Sequence, residues 1–339
     1  MNFEQIKKWY INNDLLFFAS IELTQKCNFN CLHCYCSDKR NPYIPYEDVR
    51  KIIDKLYESG CFLLIFTGGE ILTYDFFSEI YVYAKRKGFM IDLMTNASLI
   101  DKNLIPLLKQ YPPHNISVTV YGTNEMDYNL FTGNGNNYNK VMNALILLKE
   151  SKLNFNIRTV ATKTLYNSIK NGHFDRMADS LGVPFRYDPV IFPKTSGDST
   201  PLNECLSPKA IVKLEQQNNL RSKKWKDLIQ TTDNVKWKCR AGINSLAIDY
   251  KGEAYVCGLY RKKGISILNR NIDDVLEHLK KVHKEHEQIV YNSECSNCAS
   301  RKICKWCPAY SNVYNGTENQ KVVFFCELAE KRRLCFGKS

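Results

Sequence analysis

The chain has 339 residues, 44% of them hydrophobic, with 47 Lys and Arg against 35 Asp and Glu for a formal charge of +12. This length accommodates one large domain and a smaller one, and the apolar share excludes wholesale disorder. Met1–Lys8 carries no signal-peptide pattern and no apolar run is long enough to span a bilayer, so the sequence places the protein in the cytoplasm, away from membranes. A reducing compartment disfavours disulfides, and the fourteen cysteines therefore read as metal ligands. The basic balance suits an acidic peptide or nucleic acid and does not choose between them.

After a short N-terminal segment, 1–15, apolar strand-like runs alternate with amphipathic helix-like runs. The strands are expected at Leu16–Leu23, Cys61–Thr67, Phe89–Thr95, Asn115–Tyr121, Asn154–Ala161 and Val183–Val190. The helices between them are expected at Tyr46–Ser59, Asp75–Lys87, Lys102–Gln110, Asn137–Lys152 and Ser168–Leu181. Such alternation gives a parallel sheet with helical crossovers. Six units fall short of a closed eight-unit barrel, and in barrel folds function gathers at the C-terminal strand ends. The loop after the first strand reads Cys27-Asn28-Phe29-Asn30-Cys31-Leu32-His33-Cys34, that is, C-x3-C-x2-C. Thr67-Gly68-Gly69-Glu70 follows the second strand, and its glycines allow close backbone approach. Thr95-Asn96 ends the third, Ser117–Gly122 covers the fourth, and Arg158 lies on the fifth.

Pro, Gly, Ser and Asp cluster from Pro189 to Pro201 and mark a linker. Ser207 then reads as an N-cap with Pro208 at the first helical position, opening a helix to about Asn218. Lys223, Lys224, Lys226, Lys236, Lys238 and Arg240 make the next stretch basic, either a solvated face or a peptide-binding surface. Leu246–Cys257 alternates around Gly252 and reads as a β-hairpin. The domains are thus drawn at 16–192, a linker and helix over 193–238, and a cysteine-rich unit over 239–339.

That last unit carries Cys239-x12-Gly252-x4-Cys257, then Cys295-x2-Cys298-x5-Cys304-x2-Cys307, then Cys326 after eighteen residues. A zinc ribbon separates its two C-x2-C pairs by a longer hairpin, typically about 15–20 residues; five residues are too few. Cys36, Cys61, Cys205 and Cys335 stand outside both patterns.

Three cysteines in one loop hold three irons of a cubane and leave the fourth iron open, since a complete set is four. This loop, the Gly-Gly-Glu after strand two and the second cysteine constellation resemble the radical S-adenosylmethionine (SAM) enzymes that carry a C-terminal SPASM domain. The resemblance covers about residues 16–327. It departs from the family pattern in two residues rather than three before Cys307, and in Ile71 where many members have Pro. It implies an α/β fold, a partial (β/α)6 barrel followed by a small cysteine-rich SPASM domain. It also implies three [4Fe-4S] clusters: one on Cys27, Cys31 and Cys34 that binds SAM; an inner auxiliary one on Cys239, Cys257 and Cys307; and an outer one on Cys295, Cys298, Cys304 and Cys326.

SAM-side positions carried over are Gly68, Gly69 and Glu70 toward the SAM amino group, with His33 and Asn96. Thr119 would lie near the ribose, and Arg158 would pair with the carboxylate. Ordinary strand positions remain the alternative for Thr119 and Arg158. The fourth ligand of the inner cluster is open between a substrate cysteine and Cys205. Cys205 is also a candidate hydrogen-atom donor, or only a small buried residue.

The family implies reductive SAM cleavage to a 5′-deoxyadenosyl radical and hydrogen abstraction from a peptide. The leading expectation is a maturase of a ribosomally made precursor peptide, forming a thioether or carbon–carbon cross-link or epimerising a residue. The alternatives are a sulfatase-type maturase forming formylglycine and a non-catalytic iron–sulfur protein. An electron donor such as flavodoxin or ferredoxin is implied, and nucleic acid is not. Many peptide maturases of the family carry a recognition domain before the barrel. The fifteen residues found there lead to the expectation that a separate small protein, or the basic surface around residues 221–240, binds the leader.

Overall fold

Among the described residues nine strands form one sheet, in the order β6-β5-β4-β3-β2-β1-β7-β8-β9. This computed structural model describes residues 2–36, 42–133, 136–231 and 239–337; Lys236 and Lys238 of the basic stretch lie outside the described residues. The first six strands are β1 (Phe18–Thr24), β2 (Leu63–Gly68), β3 (Met90–Thr95), β4 (Asn115–Thr119), β5 (Phe155–Val160) and β6 (Phe185–Asp188). All neighbours among them are parallel, the expected α/β partial barrel. Side chains alternate across each strand. Ile91, Leu93, Ile116, Val118, Phe155 and Ile157 are buried toward the helices, leaving Asp92, Met94, Ser117, Thr119, Asn156 and Arg158 for the concave interior.

The helices follow the apolar spacing. Helix α1 (Phe3–Asn12) occupies the N-terminal segment, where no element was expected. Asn2 and Gln5 form a capping box there. Phe3 stacks on His114 at 4.5 Å and meets Phe17 edge-on, so α1 sits against the N-terminal ends of the strands. In α2 (Tyr46–Glu58), Val49, Ile52, Ile53 and Leu56 are fully buried at i, i+3, i+4 and i+7, each worth about 1.5–3 kcal/mol of burial. Helices α3 (Phe77–Arg86), α4 (Ile105–Gln110), α5 (Glu125–Thr132) and α6 (Asn137–Glu150) follow. The single helix expected at Ser168–Leu181 is two, α7 (Tyr166–Lys170) and α8 (His173–Leu181). Gly172 divides them at φ +69°, a conformation glycine tolerates.

Ser207 caps α9 (Pro208–Gln217), accepting from the Ala210 amide at 3.3 Å with Pro208 at the first position. The basic stretch begins as helix α10 (Asn219–Gln230). The hairpin is β7 (Ser245–Ile248) against β8 (Glu253–Tyr255), and β9 (Ile265–Ser266) extends it. β7 also lies parallel to β1, so the hairpin continues the barrel sheet. Helices α11 (Ile272–Asn292), α12 (Pro308–Asn315) and α13 (Val323–Phe336) complete the cysteine-rich part. Lys55 of α2 anchors that part by donating to the carbonyls of Ile267, Leu268 and Arg270 at 2.7–2.9 Å. On the other side, Arg332 of α13 is buried in a two-bonded pair with Glu215 of α9, at 2.9 and 2.6 Å. Among the described residues no helix is long and apolar enough to cross a membrane.

Candidate active site

The first cysteine loop leaves the C-terminal end of β1, and the turn after β2 holds it there. The Gly69 amide donates to Thr24 O and the Glu70 amide to Lys26 O, both at 2.8 Å. A Cβ on Gly69 would stand 2.2 Å from Lys26 O, and one on Gly68, at φ +140°, 2.2 Å from Thr24 O. No side chain fits at that approach, and Cys27 is the next residue after Lys26.

The Glu70 carboxylate is fully buried. It accepts from Leu72 N at 3.1 Å, Thr95 Oγ1 at 2.6 Å and Asn96 N at 2.6 Å. Burial raises its pKa while those three donors hold it down. In this conformation the carboxylate serves the protein, tying the end of β2 to the end of β3.

Beyond it, Ala97 takes φ +60° with its amide on Thr95 Oγ1. This left-handed residue costs on the order of 1 kcal/mol and turns the chain toward the cysteine loop. Asn96 Nδ2 donates to Asn28 Oδ1 at 2.9 Å and approaches Cys27 Sγ at 4.0 Å. Asn28 Nδ2 donates to Ser98 Oγ, and Ser98 in turn donates to Asn96 Oδ1. Asn28, Ala97 and Ser98 were not singled out from sequence; no motif marks them, because they act through this closed ring of side chains.

The far side of the loop rests on α5. Asn30 N donates to Thr132 O and Leu32 N to Phe131 O, at 3.0 and 3.1 Å. His33 stacks on Phe131 with ring centres 5.1 Å apart and leans on Tyr121 at 5.5 Å. Tyr121 is held well above its ordinary pKa by burial and by the Cys31, Cys27 and Cys34 thiols around it. One phenol thus senses the charge of all three cysteines of the loop.

Thr119, Arg158 and Arg186 stand opposite one another on β4, β5 and β6. Burial lowers the pKa of Arg158, and Arg186 adds to that. Among the described residues, Arg158 Nε and Asn156 Oδ1 are buried with no hydrogen-bond partner. Unpaired buried polar atoms are costly, and these two mark a place for a polar ligand.

The later cysteines gather in two sets. Burial pushes the Cys307 thiol up to about 12, with Cys257 and Cys239 adding to it, and Cys257 rises with burial and Cys239. Cys295 is pushed up to about 11 by burial, Cys304 and Cys326. Cys304 and Cys326 rise chiefly with burial and also sense Cys298. Crowded thiols of this kind suit a cationic core that stabilises their thiolates. Cys307 sits at the N-cap of α12, accepting from Tyr310 N, and Trp306 N donates to Cys304 Sγ; both amides favour thiolate. Around a zinc ion with bonds near 2.3 Å the sulfurs would lie only about 3.8 Å apart. Among the described residues no three His, Cys, Asp or Glu side chains close in on such a single-ion site. A cube spreads its ligands over separate irons and takes cysteine thiolates, the donor type that both sets supply. Cys205 bridges to Thr162 and neighbours Tyr314. Tyr314 in turn adjoins Tyr310, and Tyr310 adjoins Cys307.

Residues 21–169 match the family model for the radical SAM superfamily. Those residues form a radical SAM domain. Relatives of the chain include the AdoMet-dependent heme synthase of Nitratidesulfovibrio vulgaris strain Hildenborough, 22% identical over 87% of this chain and 87% of that one. They also include the subtilosin biosynthesis protein AlbA of Bacillus subtilis, 24% identical over 72% of this chain and 55% of AlbA. The fold is similar to that of Streptococcus suis SuiB bound to its precursor peptide SuiA: TM-score 0.71, 15% identity, 90% of this chain and 75% of SuiB. The radical SAM family implies a [4Fe-4S] cluster and SAM, and the C-x3-C-x2-C loop of Cys27, Cys31 and Cys34 lies within the matched residues.

Proposed function

We propose that this protein is a radical SAM enzyme that modifies a ribosomally made precursor peptide, forming a thioether or carbon–carbon cross-link or epimerising a residue. The observation that carries the reading is the polar interior together with two thiol groups. Cys27, Cys31 and Cys34 lie in the loop that leaves β1, and the Tyr310 hydroxyl, raised chiefly by burial, is raised further by Cys307, Cys257 and Cys239 and by Asp188 of β6. The likeness to SuiB carrying SuiA supports a peptide as the occupant, and AlbA, a bacteriocin biosynthesis protein, points the same way.

When bound, cluster and SAM supply the radical that takes hydrogen from an unactivated carbon. The chain's own part is to orient and to exclude water. Gly68, Gly69 and Glu70 fix the SAM-side rim, His33 and Asn96 flank the cysteine loop, and Thr119 and Arg158 offer a hydroxyl and a guanidinium to the ribose and carboxylate. Cys239, Cys257 and Cys307 hold an inner auxiliary cluster, and Cys295, Cys298, Cys304 and Cys326 an outer one, for three in all. Cys205, beside Tyr314, is the candidate hydrogen donor or further ligand. The basic face of α10, with Lys223, Lys224 and Lys226, or a separate small protein takes the leader. A flavodoxin or ferredoxin supplies electrons, in the reducing cytoplasm.

The similarity to AdoMet-dependent heme synthases over 87% of the chain favours a second reading, a tetrapyrrole substrate. Co-expression with a short reading frame beside the gene separates the two. The peptide reading expects loss of two hydrogens per cross-link, or deuterium uptake from heavy water on epimerisation. An unchanged peptide together with turnover of a tetrapyrrole overturns it.

A further inference from the structure

Glu22 lies on the inner face of β1, in register with Thr67 of β2, and is 5% exposed. Its Oε1 accepts from Nη2 of Arg261, which stands four residues beyond Cys257 and lies over the Tyr255 ring at 5.2 Å. A guanidinium and a carboxylate commonly meet through two parallel bonds, as Arg332 and Glu215 do in this same protein. Glu22 and Arg261 do not. Among the described residues, Glu22 Oε2 and Arg261 Nη1, both buried, have no hydrogen-bond partner. The pair therefore presents one acceptor and one donor side by side to the interior, at the cost that attends unpaired buried polar atoms.

The pair also has a telling position. Glu22 lies on β1, whose C-terminal end leads into the first cysteine loop, and Arg261 stands four residues beyond Cys257. Their hydrogen bond thus joins the strand that carries one thiol group to the segment that carries the other. Arg158 is four strand spacings away around the sheet, each about 4.8 Å, so the two sets of unfilled atoms call for different ligands or different parts of one. Charge narrows the ligand further. Glu22 already neutralises Arg261, and Asp249 lies near both. The Asp249 oxygens are engaged by Lys251 N, Glu253 N and Tyr255 OH, and Gln25 helps to hold Glu22. A second carboxylate arriving at this spot would be repelled, whereas a neutral group with one donor and one acceptor on the same side fits. The N–H and C=O of one extended peptide residue point to the same side and make this paired contact between strands.

We propose that Glu22 and Arg261 form a main-chain subsite for the substrate, taking the N–H of one extended residue on Glu22 Oε2 and its C=O on Arg261 Nη1. This rests on the peptide reading above and adds where and how the peptide is gripped.

The test uses the reconstituted, SAM-loaded protein and saturation-transfer NMR with three small probes: N-acetylglycine N-methylamide, acetamide and propionate. The first should receive saturation, at least five-fold more than either of the others. The signal should fall at least five-fold in E22M/R261M. Replacing both partners by apolar side chains of similar size preserves folding more often than removing one, and unchanged iron content and SAM affinity would show that this variant is intact. If it does not fold, Arg261→Lys, which keeps the charge and loses the Nη1 donor, should show the same fall. No transfer from N-acetylglycine N-methylamide, or transfer undiminished in the variants, overturns the subsite and leaves the peptide reading standing. Acetamide binding as well as the first probe overturns the main-chain assignment in favour of a side-chain carboxamide. Propionate binding that depends on Arg261 overturns both the subsite and the peptide reading, in favour of a carboxylate-bearing substrate.

Discussion

Glu70 Oε2 receives the Asn96 amide at 2.6 Å inside a fully buried pocket, and through that bond the turn after β2 fixes the turn after β3. Glu70→Gln places an NH2 group among three donors, leaving at least one of them without an acceptor. The expected cost is about 1–3 kcal/mol, read as a lower urea midpoint. SAM affinity should fall with it, because Asn96 flanks the cysteine loop. A variant with unchanged midpoint and unchanged SAM affinity would contradict this role.

Gly69→Ala drives a Cβ into Lys26 O, which stands 2.2 Å from that position. The displacement falls on the residue before Cys27. The variant should fold, with β2 and its neighbours intact, and lose about four irons per chain, the content of one cubane. Full iron content with normal SAM cleavage would show that the loop absorbs the clash.

Removing one partner of the buried Arg332–Glu215 pair should be costly, about 3–5 kcal/mol. Arg332→Met alone should lower the denaturation midpoint sharply, and E215M/R332M should recover most of it. Equal loss in the single and double variants would mean that the pair itself, rather than an orphaned charge, stabilises the junction of α9 and α13.

His286 is held down at about 4 by burial, set among Glu318, Lys263, His283 and Glu285 and against the Tyr260 ring. A depressed histidine folds neutral, so the unfolded chain binds its proton first. Stability is then complete above the unfolded pKa near 6.5 and declines as pH falls toward 4, by about 1–2 kcal/mol between pH 7 and pH 5. His286→Phe should flatten that part of the urea-midpoint profile. A profile of unchanged slope would remove His286 from the account.

Cys205→Ala separates that residue's roles. As a ligand of the inner cluster, its loss should alter the auxiliary cluster's paramagnetic resonance spectrum without peptide present. As a hydrogen donor, its loss should leave that spectrum and SAM cleavage unchanged and block release of an epimerised product. A spectrum that changes only on adding a Cys-containing peptide assigns the ligand to the substrate.

The strand–helix alternation was readable because each element carries its own period, and Ser207-Pro208 announced α9 by local chemistry alone. Gly68 and Gly69 were legible as a tight approach, but what they approach, the carbonyls of Thr24 and Lys26, belongs to another strand. Helix α5 passed unnoticed because its buried residues are only Tyr128, Phe131 and Thr132 in eight positions. The hairpin at Leu246–Cys257 was visible from its alternation, while its parallel pairing with β1 is decided by the barrel edge, which no local pattern encodes. Glu22 and Arg261 are 239 residues apart, and each alone reads as an ordinary charged residue.

Iron and sulfide analysis of anaerobically reconstituted protein, with paramagnetic resonance before and after adding SAM, tests the central claim most directly. Three cubanes predict roughly twelve irons per chain, with SAM perturbing the signal of one cluster only, the one lost in the triple Ala variant of Cys27, Cys31 and Cys34. Zinc in place of iron, or a spectrum that SAM leaves untouched, would contradict it.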